Sequence, residues 1–164
     1  MEEKAQGGSA LAKRALRKVF DAELGLCPPT KLTQLFLQQA GLTDVDALLK
    51  RYMTEEGFRK ELRFLMPQIL MVARMGDEAA GSLLDEFAGE IVAYIEAGFR
   101  KMEMTPGEED IVLAGSIFKG ADNPLTSRVI EGVRGRMRGA QVVQARYEPV
   151  VGACIMGLDK LGME

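Results

Sequence analysis

Residues 111–120, IVLAGSIFKG, decide how the rest of the chain is read. The apolar, β-prone run Ile111-Val112-Leu113 passes into Ala114-Gly115-Ser116 and reaches a second glycine at Gly120. This is the pattern of a short buried strand ending in a tight turn. Glycine lets backbone approach a flat ring or a phosphate closely, and serine adds a donor and an acceptor. The pattern alone leaves two readings open, a structural turn and a ligand site. Gly115 and Gly120 have the glycine spacing of a P-loop, but Ala121-Asp122 stands where lysine and Ser/Thr are required. A Walker-type P-loop is therefore rejected.

Downstream, Asn123-Pro124 opens a helix reaching about Met137, with proline at its first turn. Gln141 to Ala145 reads as a second strand, and Pro149 opens a last helix running to Leu161. The β–α–β–α order predicts a parallel strand pair joined by a right-handed crossover. In such units ligands lie beyond the carboxyl ends of the strands, where Ala114-Gly115-Ser116 falls. The run EGVRGRMRGA, with Arg134, Arg136 and Arg138, reads as a solvated basic helix end.

Upstream the grammar is helical. Ser9 is placed as the cap of a helix whose apolar side is Leu11, Ala15, Leu16, Val19 and Phe20, ended by Gly25. After CPPT, Leu32, Leu35, Phe36 and Gln39 follow the helical period up to Gly41, and a short helix starts near Asp44. From Glu55 to Met75 the spacing predicts one long helix or two joined at Pro67. Met66, Met71 and Met75 are read as core filler. A Gly76-Asp77-Glu78 corner precedes the longest amphipathic helix, carrying Leu83, Leu84, Phe87, Ile91, Ile95 and Phe99. The organisation expected is a helical segment over 1–104 and a βαβα unit over 105–164, together one structural domain.

Composition excludes more chemistry than it supports. The 164 residues are 47% hydrophobic and 27% charged, as in ordinary globular proteins, with a formal charge of −3 that argues against nucleic-acid binding. With no histidine in the chain, a His-based triad or an HExxH zinc site is impossible. Cys27 and Cys154 lie far apart with no CxxC spacing, and each is read as a buried thiol. Glu108-Glu109-Asp110 reads as a polar loop. No segment approaches the ~18 consecutive apolar residues of a membrane span. The polar start, MEEKAQGGSA, does not suit a secretory signal, so a cytoplasmic location is expected.

IVLAGSIFKG, then NPL opening a helix, then a strand and YEPVVGACIMGL, together resemble the C-terminal end of the N-acetylglucosamine kinase and BadF/BadG/BcrA/BcrD ATPase family. GGSALAKRALRKVF is similar to the family's segment after its GDEGSxxxxG stretch. PPTKLTQLFLQQAGL and MGDEAAGSLLDEFAGEIV stand in the family's order. The resemblance implies an α/β, helix-rich C-terminal lobe of the actin-like ATPase (ribonuclease H-like) fold, with a small parallel β unit after a run of helices. It implies ATP as ligand, with Ala114, Gly115 and Ser116 in the adenosine motif, Gly120 at the next nucleotide contact and Gly76 on the other side of the adenine.

The chain departs from the family where the reaction is run. It contains no DxGxT phosphate loop and none of the accompanying catalytic aspartate, and Ala5-Gln6-Gly7-Gly8-Ser9 stands where GDEGS would fall. Magnesium would bind only with the missing N-terminal lobe, and no catalytic or metal-ligating residue is assigned here. The expectation is a truncated or isolated nucleotide-binding lobe that is inactive alone, partnered by that lobe or by self-association. The alternatives are a non-catalytic helical interaction module, or half of a split sugar kinase completed by another chain.

Overall fold

The computed structural model describes residues 7–145, 147 and 149–162. Ala5 and Gln6 lie outside these residues. Six helices come first: α1 (Gly7–Glu23), α2 (Lys31–Ala40), α3 (Val45–Thr54), α4 (Glu56–Glu61), α5 (Met66–Arg74) and α6 (Glu78–Met102). There follow strand β1 (Asp110–Leu113), helix α7 (Pro124–Arg136), strand β2 (Gln141–Gln144) and helix α8 (Pro149–Lys160). The result is a helix-rich α/β chain whose described strands form one two-stranded parallel sheet, with Ile111 opposite Val142.

Local chemistry explains the breaks. The Thr30 hydroxyl accepts from Leu32 N at the start of α2, and Gly41 closes that helix with φ 64°, a left-handed conformation that glycine adopts without strain. The Asp44 carboxylate accepts from Ala47 N at the start of α3. Pro67 falls in the first turn of α5, after a 3₁₀ turn over Leu62–Leu65, so the proline restarts the helix rather than interrupting it.

Helix α1 is the centre of the helical body. Its Ala10, Leu11, Ala12, Ala15, Leu16 and Val19 are buried, and the small alanines let α2, α5 and α6 pack close around it. Phe36, Leu48, Ile69, Leu84 and Phe87 complete the same apolar cluster, each side chain adding roughly 1.5–3 kcal/mol by leaving water. Helix α6 runs 25 residues and carries α7 along its middle, from Arg128 on Asp85 to Arg136 on Glu96. Contact there is close: a Cβ added to Gly132 of α7 would fall 2.8 Å from Val92 Cγ2 of α6. Ile111 and Leu113 of β1 turn into the cluster that holds Val129 and Val133 of α7, while Val112 and Val143, on the other face of the sheet, are exposed.

Four expectations are corrected. Helix α1 begins at Gly7, so Ser9 lies inside its first turn rather than capping it. Met71 and Met75 are 55% and 60% exposed and fill no core. Cys154 is exposed and Cys27 half-buried, and both thiols are free. The 111–113 strand is buried on one face only: Ile111 and Leu113 join the cluster that holds α7, while Val112, on the other face, is exposed.

Candidate functional site

The turn after β1 is rigidly built. Gly115 takes φ 121° and ψ 158°, a region open essentially to glycine alone. Ser116–Phe118 then form one 3₁₀ turn, and Gly120 resumes a positive φ of 105°. The clamp that holds this shape is Asn123, a buried residue. Its Nδ2 donates to the carbonyls of Ile117 (2.9 Å) and Lys119 (3.0 Å). Its Oδ1 accepts from Leu125 N (2.9 Å) and Thr126 N (3.2 Å), capping α7. One side chain thus locks the turn onto the helix that supports the sheet. Gln144 Nε2 and Thr126 Oγ1 both donate to the Phe118 carbonyl, and Ala145 N donates to Leu113 O.

This turn forms one wall of a cleft of about 250 Å³. Ala114, Gly115, Ser116, Ile117 and Phe118 lie on one side, Gly7 and Gly8 at the start of α1 lie opposite, and Phe87 and Ile91 of α6 complete the lining. Three kinds of surface meet here. Ile91 and Phe118, both partly exposed, supply apolar contact for a flat ring, with Phe87 buried behind them. Ser116 is exposed and supplies a hydroxyl. The first turn of α1 supplies N–H groups with no intrahelical acceptor, and no acidic side chain stands in that turn to neutralise them. A Cβ at Gly115 would meet nothing within 4 Å, so the glycine is required by its backbone angles and leaves the cleft open above it. The volume is below the ~300–1,000 Å³ of sites that enclose a whole ligand, and suits one part of a larger molecule.

Ala114, Gly115 and Ser116 therefore stand together in the cleft. Gly120 closes the same turn but is not among the residues lining it. Gly76 is elsewhere, in a separate depression with Pro29, Thr30, Lys31, Gln34, Asp77 and Glu78. That corner has a structural explanation. Asp77 accepts from Ala80 N (3.0 Å) at the start of α6, from Lys31 N (2.7 Å) at the start of α2, and from the Thr30 hydroxyl (2.7 Å). One carboxylate thus serves two helix N-termini. Burial alone would push its pKa up, but these hydrogen bonds and the nearby Lys31 charge hold it below its ordinary value.

The sequence reading missed Gly7, Gly8, Phe87 and Ile91 as parts of the cleft and Asn123 as the clamp of the turn. Only Asn123 carried a local signal, an Asn-Pro pair directly after the glycine turn. A wider groove of about 620 Å³ between α1 and α6 is lined by ion pairs, Arg14 on Glu90 through two hydrogen bonds and Lys18 on Glu86. Among the described residues no three His, Cys, Asp or Glu side chains come together as a metal site, and no helix is long and apolar enough to cross a membrane. Set beside known proteins, the chain matches no family model and no curated protein.

Proposed function

We propose that this chain is an adenine-nucleotide-binding lobe of the actin-like ATPase type, in the N-acetylglucosamine-kinase-like branch. Ala114, Gly115 and Ser116 receive the base and ribose, Ile91 and Phe118 form the apolar floor, and the start of α1 faces the phosphates. The observation that carries the reading is the cleft itself. Two glycine-rich stretches from opposite ends of the chain, Gly7-Gly8 and Gly115-Ser116, line it together. A helix N-terminus beside an apolar slot is the chemistry a nucleotide needs, anion at one end and ring at the other.

Binding is proposed without turnover. In the parent reaction the γ-phosphoryl of ATP passes in line to a sugar hydroxyl, with magnesium bridging the phosphates and an aspartate taking the proton. This chain has no DxGxT loop, and its cleft holds part of a ligand. Titration calorimetry with ADP and ATP tests the reading. Binding in the high-micromolar to millimolar range, abolished by Ser116→Trp and kept by Gly76→Ala, supports it, while no heat at millimolar nucleotide overturns it. A non-catalytic interaction module is the second reading, favoured by the exposed apolar residues of α8, and it predicts that null titration.

A further inference from the structure

Among the described residues, the starts of α2, α3 and α6 are capped by Thr30, Asp44 and Asp77, each acting on its helix as an acceptor. The start of α7 is capped by Asn123, which also carries an amide NH2. Its partners fix the orientation of that amide. The carbonyls of Ile117 and Lys119 can be served only by the NH2, and the N–H groups of Leu125 and Thr126 only by the oxygen. The carbonyl in between, that of Phe118, accepts from Thr126 Oγ1 (3.3 Å) and Gln144 Nε2 (3.2 Å). Asn123, Thr126 and Gln144 do not line the cleft, whereas Phe118 does. Three successive carbonyls are thus held toward α7 and β2, and the Phe118 ring is left to the cleft.

We propose that Asn123 is a positioning residue for the ligand of this cleft. The role rests on the nucleotide reading. Asn123 touches no ligand itself. Its NH2 fixes the 116–119 turn, so that the Ser116 hydroxyl and the Phe118 ring stand in place before base and ribose arrive. A ligand meeting a loose turn would have to order those residues on binding, and its affinity would fall by that cost. This role is separable from capping. Aspartate and serine cap helices about as well as asparagine because each supplies the acceptor, but neither supplies an NH2.

Asn123→Asp and Asn123→Ser test the proposal together, the second without placing a charge beside the two carbonyls. Far-UV circular dichroism should match wild type in both, with α7 intact. The amides of Phe118 and Lys119 donate to Gly115 O and Ser116 O, and their hydrogen exchange should speed up about tenfold or more. The amides of Leu125 and Thr126 should keep their wild-type rates. ADP should bind about tenfold more weakly by titration calorimetry. Gln144→Leu, at an exposed site that leaves the cap untouched, removes one donor to Phe118 O and should show the same pattern at about threefold. Exchange that stays at the wild-type rate in all three variants overturns the proposal. So does faster exchange with ADP affinity unchanged, which sinks this role while the nucleotide reading stands. Absence of ADP binding in the wild type sinks that reading and this role with it.

Discussion

The two ends of this chain are finished to different degrees. The helical body from α1 to α6 closes on itself, with Leu11, Leu16, Phe36 and Phe87 removed from water and helix ends capped by Thr30, Asp44 and Asp77. The β1–α7–β2–α8 end buries Ile111, Leu113, Val129 and Val133 against that body but leaves Val112, Val143 and the apolar side of α8 in water. Parallel strands are normally covered on both faces. Large apolar side chains are exposed in both regions, Leu24, Leu26, Phe64 and Met75 among them in the helical body, but they lie closer together along the chain at the C-terminal end.

This contrast can be broken by substitution. Phe36→Ala in the body should cost about 3–5 kcal/mol in chemical denaturation, the range for emptying a well-packed aromatic site. Asp77→Ala removes the acceptor at two helix starts and should cost about 2–3 kcal/mol near neutral pH. Because the Asp77 carboxyl is held below its ordinary pKa, its contribution is complete above the unfolded carboxylate range and is lost as pH falls through the lower folded value. The stability gap between wild type and Asp77→Ala should therefore close in acid and stay constant from pH 6 to 8. Gly115→Ala forces a side chain into a glycine-only conformation and should cost about 1–3 kcal/mol, with loss of nucleotide binding. Val112→Thr, on the bare sheet face, should move stability by less than about 0.5 kcal/mol. A large loss there would show that this face is covered after all.

The same contrast explains what was legible beforehand. Element types followed local rules: Gly41 ended α2, Asp44 began α3, Pro67 opened α5 and Asn123-Pro124 opened α7. The parallel pairing of 110–113 with 141–144 followed from the order of elements. Burial was harder to read. Helical periodicity identifies an apolar side but not what it faces, so Met71 and Met75 were expected inside although each is more than half exposed. Long-range polar links had no local signature either. Nothing near Gly76 announces that Asp77 will meet Lys31 across the bundle, and nothing near Gly115 announces that Gly7 and Gly8 stand opposite. Of the candidate site, the turn was legible and the facing wall was not.

The most direct measurement of the central claim is a ¹H–¹⁵N spectrum recorded during titration with ADP. The account predicts progressive shifts at the amides of Gly7, Gly8, Gly115 and Ser116, with Gly76 and Gly41 unmoved. Unchanged spectra at millimolar ADP, or shifts confined to the Gly76 corner, would contradict it.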